Sequence, residues 1–145
     1  AIVPREAENP TKGMVERQRL DEGVRLKHYL TRNERQNRAY AFNHETPGAK
    51  LAILDVRRIA MAERLQMLEI NLHTGRHHQI RCQLSTIGLP IRGDLKYGAP
   101  RSNPDGSICL HARHVEFVHP VSKQHISITA DYPSLGIWDI FRNEA

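Results

Sequence analysis

Basic side chains are concentrated between residues 71 and 101 of this chain. The segment carries five lysines and arginines, a single acid at Asp94, and three histidines. A guanidinium presents a planar pair of donors that matches a carboxylate or a phosphate, so the cluster indicates binding of an anion. A basic surface that only faces solvent is the alternative interpretation. The basic members are Arg76, Arg81, Arg92, Lys96, Arg101, His73, His77 and His78.

A change of apolar period places this cluster at the junction of a strand and a helix. Residues 65–72 alternate apolar and polar side chains, and from Thr74 the period becomes that of a helix. Thr74 is the expected N-cap and Gly88 the expected stop. A helix that begins at Gly75 would present unpaired N–H groups and the positive end of its dipole to an anion. Arg81 would lie on the flank of this helix. The apolar stripe of the helix consists of Ile80, Leu84 and Ile87.

The pattern along the rest of the chain predicts an α+β fold with a mostly antiparallel, mixed sheet. Residues 49–59 and 65–72 alternate as strands and are predicted to pair as a hairpin across residues 60–64. A second hairpin is predicted from residues 110–119 and 124–130. One main helix follows the first hairpin. Strands interrupted by a single helix, with hairpin-length links, are typical of this class.

The remaining segments predict shorter elements. Residues 1–48 carry scattered Pro and Gly and predict loops and short elements, with no clear helix. Residues 91–97 predict a short strand and turn, and residues 101–107 predict a polar loop. The apolar side chains after Pro133, which include Leu135 and Trp138, predict a short C-terminal helix packed on the core.

The composition indicates one soluble domain without affinity for a membrane. The chain has 145 residues, of which 39% are apolar and 26% charged, so one core is expected without disulfides or metal. Cys82 and Cys109 lie far apart without a CxxC spacing and predict free buried thiols in a reducing compartment. No apolar run is long enough for a span and no signal peptide opens the chain, which predicts a cytoplasmic protein. A net charge of +5 favours a polyanionic partner.

Four blocks of sequence resemble the C-terminal half of the RluA-type RNA pseudouridine synthases. They are TGRHHQIR at residues 74–81, IGLPI with GDLKYG at residues 87–98, LHA at residues 110–112 and FVHP at residues 117–120, in the family's order and spacing. The resemblance covers about residues 49–133, and residues 30–42 are similar to the variable segment that precedes these blocks in some members. It implies a pseudouridine synthase-like fold and an enzyme that isomerises selected uridines in ribosomal or transfer RNA, without a cofactor.

The resemblance also implies a role for residues in these blocks. In the family, an Asp of an HRLDxxTSG motif acts on the nucleotide, a Tyr of a KxYxA-like motif stacks on the base, and the arginine of HQIR pairs with that Asp. By this match Arg81 is the catalytic pairing arginine, which would keep the Asp ionised. The residues expected to contact RNA are Arg76, His77, His78, Gln79, Arg92, Lys96 and Tyr97. The residues expected to shape the site are Thr74, Gly75, Ile80, Asp94, Leu110 and His111.

The motifs that carry the Asp and the Tyr are not matched within this chain. The run Arg19-Leu20-Asp21 follows Gln18 where the motif has His and is not followed by TSG, so Asp21 is not expected to be catalytic. Residues 1–3 are similar to the end of the KxYxA block. Residues 1–145 are therefore expected to be the C-terminal portion of a catalytic domain, inert alone and active in the full-length protein.

Other interpretations of these residues stay open. A non-catalytic RNA-binding module would keep the basic groove without the carboxylate. A metal-dependent phosphate enzyme would use the histidines, but no metal is expected, because His73 precedes the predicted cap and no acidic ligand lies near it. Asp94 is either a general acid or base or the anchor of an arginine, and Tyr97 either stacks on a base or packs half-buried. An unpaired sheet edge would favour a homodimer.

Overall fold

A computed structural model describes residues 1–134 and 136–141. These residues form a five-stranded sheet with one helix packed across it and a further two-stranded sheet, which confirms the predicted α+β class. In chain order the elements are β1 (Ile2–Pro4), α1 (Met14–Gln18), β2 (Val24–Asn33), β3 (Arg38–Phe42), β4 (Lys50–Met61), β5 (Leu65–Leu72), α2 (Gln79–Thr86), a 3₁₀ turn (Leu95–Tyr97), β6 (His114–Val118), β7 (His125–Thr129) and α3 (Gly136–Asp139).

The five-stranded sheet has the order β1-β5-β4-β2-β3, and each pair of neighbours is antiparallel. Alternation gives it one apolar and one charged face. Leu26 and Leu54 are buried under α2, whereas Arg25 and Asp55 face solvent on the other side. The predicted hairpin of β4 and β5 is confirmed, with a bulge after Arg58 that shifts its register.

Helix α2 is attached to the sheet through the predicted apolar stripe. Leu84 and Ile87 are buried in one cluster with Leu26 and Leu54. Full burial of such a side chain contributes about 1.5–3 kcal/mol relative to exposure. Gly88 follows the helix with a φ of 84°, the left-handed conformation that commonly ends helices, so the predicted stop is confirmed.

The start of α2 lies later than predicted, at Gln79. The prediction of Thr74 as N-cap is wrong, because the chain beyond β5 first stays attached to β4. The N–H of Thr74 donates to the carbonyl of Ile53 at 3.3 Å, and its hydroxyl accepts the N–H of Ile53 at 3.0 Å. The residue that precedes the helix is His78, with a left-handed φ of 54°. Gly75 is therefore not a helix N-terminus, and the anion site expected from the helix dipole there is not formed.

The prediction of loops and short elements without a clear helix for residues 1–48 is wrong for α1 and for the ten-residue β2. β2 and β3 form an antiparallel hairpin joined to β4. The alternation of these strands is hidden in the sequence because few inward positions are apolar. Leu26, Leu30 and Ala39 are buried, but the inward position between the two leucines is the polar His28. Packing against β4 and α2 decides this conformation, and local propensity does not show it.

The strand predicted within residues 91–97 is not formed, and a turn takes its place. The N–H of Asp94 donates to the carbonyl of Ile91 at 3.0 Å. Gly93 permits this turn, because its φ is 90° and a Cβ there would lie 2.5 Å from the carbonyl oxygen of Ser107. The turn brings Asp94 to α2.

The C-terminal part agrees with the sequence pattern. The second predicted hairpin is confirmed as β6 and β7, and the C-terminal helix as α3, with Trp138 and Phe141 buried. Leu135, which contributed to that prediction, lies outside the described residues. Cys82 and Cys109 are free and buried, as predicted. Within the described residues, no helix combines the length and apolar character needed to cross a bilayer.

Candidate functional site

Arg81 is held by a carboxylate of this chain. Its Nε and Nη2 groups donate to the two oxygens of Asp94 at 2.9 and 2.8 Å. Asp94 is 1% exposed and the Arg81 side chain 22% exposed, so the pair lies at the border of the core. The hydrogen bonds that Arg81 donates to Asp94 raise the pKa of Arg81 above its ordinary value. Asp94 is thus the anchor of an arginine, which is one of the two roles that the sequence left open for it.

A relay of hydrogen bonds continues from Arg81 to the β2–β3 hairpin. Nη1 of Arg81 donates to Nε2 of His78 at 3.1 Å, and Nδ1 of His78 lies 2.8 Å from the hydroxyl of Tyr97. An arginine only donates, so Nε2 accepts and the proton of the neutral ring is on Nδ1. Burial and then the neighbouring Arg81 lower the pKa of His78 to about 4, which keeps the ring neutral at pH 7. The Tyr97 oxygen also accepts the N–H of Ala39 at 2.8 Å, which joins Arg81 to β3.

The ring of Tyr97 contacts two guanidinium groups. Arg81 and Arg38 lie 5.0 and 5.1 Å from its centroid, and Arg38 lies 5.2 Å from the ring of Tyr40. Cation–π contacts contribute about 0.5–1 kcal/mol at exposed positions and more when desolvated. Tyr97 is 3% exposed, which matches the packing interpretation and leaves no open face for a base.

Gln79, expected to contact RNA, is 3% exposed and bonded within its own loop. Its Nε2 donates to the carbonyl of Ile53 at 3.1 Å. Its Oε1 accepts the hydroxyl of Thr74 at 2.8 Å and the N–H of Arg76 at 2.9 Å. These bonds hold the loop of residues 74–79 against β4, so the contacts of Gln79 are those of a supporting residue.

Two predicted RNA-contacting cations are exposed beside this loop. Arg76 donates through Nε to the carbonyl of Leu51 at 2.9 Å. Lys96 donates through Nζ to the carbonyls of Gln36 and Asn37 at 3.1 and 3.0 Å, at the tip of the β2–β3 hairpin. The structure therefore brings most of the predicted set together. The residues at this place are Thr74, Gly75, Arg76, His77, His78, Gln79, Arg81, Asp94, Lys96 and Tyr97.

The other four predicted residues border other parts of the molecule, although Ile80 is the chain neighbour of Arg81. Arg92 is beside β1, where its N–H donates to the carbonyl of Ile2 at 2.9 Å. Ile80, Leu110 and His111 line a cavity of about 810 Å³ beside β5, which is termed the edge cavity. This volume falls within the range of pockets that hold small ligands. Its other walls include residues 67–72 and 112–114, Tyr132 and Trp138.

An aromatic group forms one wall of the edge cavity. The His111 ring lies 6.0 Å from Tyr132 and from Trp138, and the latter two rings are stacked at an interplanar angle of 16°. The Arg113 guanidinium lies 4.1 Å from the centroid of Tyr132 and donates to the carbonyl of Ala130. Sequence reasoning missed Arg113 and Tyr132, and the available signal was the position of Arg113 directly after the LHA block.

The edge cavity runs along a strand that is paired on one side only. β5 pairs with β4 along most of its length but with β1 only through residues 65–67. Residues 69–72 have no further neighbouring strand among the described residues, and Leu72 is 52% exposed. An exposed apolar side chain at an open strand edge indicates a surface that another segment or chain covers.

The histidines take part in pairs rather than in a metal site. Nε2 of His73 lies 2.7 Å from Oδ2 of Asp55, which Arg25 also binds through two hydrogen bonds. Arg25 and then His73 hold the pKa of Asp55 well below its usual range. His77 stacks on His78 with ring centroids 3.8 Å apart. No three His, Cys, Asp or Glu side chains of the described residues converge on a point that could hold a metal ion.

Sequence reasoning also missed the cations of the β2–β3 hairpin. Arg32 and Arg35 are exposed and Arg38 is half-buried. Among the described residues none of the three forms an ion pair with a carboxylate. The sequence shows arginines at positions 32, 35 and 38, but they indicate a shared cationic surface only once the segment is known to form a hairpin.

The comparisons with known proteins agree on one family. A sequence profile described as RNA pseudouridylate synthase matches residues 2–86. An uncharacterized RNA pseudouridine synthase of Bacillus subtilis, YhcT, is 37% identical over 91 residues, which are 61% of this chain and 30% of that protein. The ribosomal large subunit pseudouridine synthase D of Zymomonas mobilis is 32% identical over 92 residues, 58% of this chain and 29% of that protein. The chain thus matches less than a third of the length of these curated relatives.

Two solved human structures share the fold. The RNA pseudouridylate synthase domain containing 4 protein superposes with a TM-score of 0.67 at 17% identity, over 98% of this chain and 59% of that chain. The RNA pseudouridylate synthase domain containing 1 protein gives a TM-score of 0.63 at 19% identity, over 97% of this chain and 56% of that chain. Identities this low establish similarity of fold alone.

Proposed function

This chain belongs to the RNA pseudouridylate synthase family, and on that premise we propose that its protein converts selected uridines of ribosomal or transfer RNA into pseudouridine. In this isomerisation the N-glycosidic bond from C1′ to N1 breaks and C1′ bonds to C5. The proton lost from C5 is balanced by one gained at N1, so no cofactor is consumed. The observation that carries the proposal is the Arg81 guanidinium, fixed by Asp94 at 2.9 and 2.8 Å within the TGRHHQIR block.

Arg81 offers a fixed set of donors to a catalytic carboxylate. A guanidinium has five N–H groups, of which Asp94 takes two and His78 takes one. The other two are available to an Asp supplied by another segment of the protein. A guanidinium within ~4–6 Å lowers the pKa of a carboxylate by about 1–3 units, which keeps that Asp ionised. Asp94 and His78 act as positioning residues, because their hydrogen bonds orient Arg81.

We propose that residues 1–145 form the C-terminal portion of the catalytic domain. Another segment then supplies the Asp and the base-stacking Tyr. Two observations support this. The match covers 30% of the length of the Bacillus subtilis relative, and the edge cavity lies open beside residues 69–72. The other segment would cover the edge cavity, where Ile80, Leu110 and His111 contribute to the wall.

The exposed cations around Arg81 are proposed to hold the RNA. Chemistry on a base requires the nucleotide to leave its stack, which costs a few kcal/mol and is offset by contacts to phosphates. Arg76 and Lys96 are exposed at the loop of residues 74–79, with His77 next to them, and Arg92 is exposed separately beside β1. Gln79 and Tyr97 are buried beneath this surface, where their hydrogen bonds stabilise it.

The test compares the full-length protein with residues 1–145. Each is incubated with transcribed ribosomal and transfer RNA, and pseudouridine is located by carbodiimide modification followed by reverse transcription. The full-length protein is expected to convert specific uridines, and residues 1–145 to bind RNA without converting it. Conversion by residues 1–145 at the full-length rate would refute the need for a second segment. RNA binding by the full-length protein without conversion would instead favour the non-catalytic module.

A homodimer through the open edge of β5 is proposed for residues 1–145 alone. An unpaired strand edge presents free N–H and C=O groups that pair readily with another strand. The exposed Leu72 adds apolar surface at the same place. Light scattering at high concentration is expected to show dimers of residues 1–145, and a monodisperse monomer would contradict this.

A further inference from the structure

We propose that the β2–β3 hairpin is a second RNA-binding surface, which holds the phosphodiester backbone at a distance from the edge cavity. The inference rests on the proposed function, because it assigns part of the same RNA substrate to residues outside the TGRHHQIR block. The surface is termed the hairpin surface. It consists of Arg32, Arg35, Arg38 and Lys96 with the rings of Tyr40 and Tyr97.

Arg32, Arg35 and Arg38 differ from the other arginines of the sheet because they have no carboxylate partner among the described residues. Arg25 in β2 and Arg57 in β4 each pair with a carboxylate, at 2.9 and 3.3 Å. Within the described residues no carboxylate pairs with Arg32, Arg35 or Arg38. Cations without a carboxylate partner on a shared surface produce a positive potential that attracts an external polyanion.

Arg32 lies on the same side of the sheet as Arg81, and Arg38 reaches the ring of Tyr97, which Arg81 also contacts. Arg32 is opposite Ala39 across the hairpin, and Ala39 is buried in the cluster that includes residues of α2. Desolvation and then Arg32, Arg81 and Lys96 lower the pKa of His77. This is the effect expected where several cations share one place. A single RNA strand can therefore contact the hairpin surface and the loop of Arg81 together.

The tip of the hairpin is ordered by contacts within the chain. Lys96 donates to the carbonyls of Gln36 and Asn37, and Asn37 has a left-handed φ of 49°. The hydroxyl of Tyr40 donates to Oε1 of Gln36. A surface that is ordered before binding loses less conformational entropy when it binds. The hairpin thus presents its arginines in one arrangement.

The mixture of guanidinium groups and rings fits a nucleic acid better than an acidic peptide. Arg38 lies within 5.2 Å of the centroids of Tyr40 and Tyr97. Tyr40 is 38% exposed, so part of its ring is open to a base. Cationic grooves with aromatic side chains between the charges are typical of proteins that bind single-stranded nucleic acid.

The test uses two double variants of the full-length protein. Arg32→Gln with Arg35→Gln removes two charges from the hairpin surface. Arg25→Gln with Lys27→Gln removes two charges from β2 on the opposite face of the sheet, so the change in net charge is the same. Binding of a fluorescein-labelled hairpin RNA is measured by anisotropy between low and moderate salt. Melting curves confirm that both variants are folded.

The hairpin double variant is expected to bind RNA about tenfold more weakly at low salt. The slope of log affinity against log salt should fall by about 0.7–0.9 for each phosphate that the variant no longer neutralises. The control double variant is expected to bind like the wild type. Equal weakening in both variants, or unchanged binding in both, would overturn the proposal.

Failure of this inference is distinguishable from failure of the proposed function. If the wild type forms pseudouridine and the hairpin double variant binds RNA as tightly as the wild type, the hairpin surface is wrong and the enzyme assignment stands. If the full-length wild type neither binds nor converts RNA, both are wrong.

Discussion

Arg81 and the edge cavity differ in how far other residues of this chain contact and cover them. Around Arg81 the key side chains have internal partners: Asp94 binds Arg81, and His78 and Tyr97 continue to β3. The edge cavity instead borders an open strand edge and an exposed Leu72. Polar contacts thus fix the surroundings of Arg81, whereas the edge cavity leaves apolar surface uncovered.

Because of this difference, the orientation of Arg81 depends only on contacts within this chain, whereas the proposed reaction depends on a further group. The guanidinium is positioned by contacts that residues 74–97 and the β2–β3 hairpin make among themselves. On the proposed function, the reaction also needs a carboxylate that another segment brings to Arg81, and that segment would also pack over the edge cavity. Variants near Arg81 should therefore change activity or local stability in a chain that stays folded, and each of the following experiments tests one part of that separation.

The largest effect is expected for Arg81→Ala in the full-length protein. Loss of the donors that hold the catalytic Asp ionised should lower the rate of pseudouridine formation about a hundredfold to a thousandfold. RNA affinity should change only a few-fold, because the exposed cations are intact. The measurement is single-turnover conversion together with anisotropy. Arg25→Ala, at an exposed pair on the other face of the sheet, should retain full activity. A fully active Arg81→Ala variant would remove Arg81 from the mechanism.

The next effect concerns stability, measured by urea unfolding of Asp94→Asn. Removing one partner of a buried, bidentate pair costs about 3–5 kcal/mol, and the partial exposure of Arg81 should reduce this to about 2–3 kcal/mol. The matched control is Asp55→Asn, whose pair with Arg25 is exposed and should contribute much less to stability. Equal destabilisation of the two variants would show that burial does not distinguish these pairs.

A smaller decrease in stability is expected for Tyr97→Phe. The change removes the oxygen that receives the N–H of Ala39 and contacts His78, and leaves a buried donor unsatisfied. The expected cost is about 1–3 kcal/mol in the free energy of unfolding. Tyr29→Phe is the control, because no hydrogen bond of its hydroxyl occurs among the described residues. A neutral Tyr97→Phe would mean that the relay does not tie α2 to β3.

The smallest effect is a dependence of stability on pH. The pKa of His78 is lowered in the folded protein from 6.5 to about 4, so between these values the unfolded chain binds a proton that the folded chain does not. This contribution to stability is complete above pH 6.5 and is lost as pH falls towards 4. His78→Asn should flatten the decline in melting temperature over this window. The exposed His44→Asn should leave the decline unchanged, and a flattened decline in that variant would contradict the assignment to His78.

The sequence was sufficient for elements with a clear apolar period. The alternation of residues 65–72 and the stripe of Leu84 and Ile87 predicted β5 and α2, and the match to the family's HQIR singled out Arg81. The start of α2 was not predictable, because the hydrogen bonds between Thr74 and Ile53 join residues distant in sequence. The identity of Thr74 as a good N-cap residue does not show that its hydroxyl binds the backbone of β4 in place of the helix.

The parts missed by sequence reasoning depend on tertiary contacts. The β2–β3 hairpin has polar His28 at an inward position, where Gln83 of α2 satisfies its Nδ1 at 2.9 Å, so its alternation is visible only in the folded chain. The link from Arg81 to Asp94 spans a turn whose direction depends on Gly93. The sequence therefore identified residues such as Arg81 and Asp94, but not the residues that each of them contacts.

Gly93 has a consequence for how this protein tolerates mutation. A methyl group at that position would lie 2.5 Å from the oxygen of Ser107 and 2.7 Å from Nδ2 of Asn103, at a φ of 90° that side chains rarely adopt. Relieving the collision would displace either the loop of residues 103–107 or Asp94 itself. An alanine scan of the whole chain should therefore show a mutationally sensitive position at Gly93, directly before the residue that anchors Arg81.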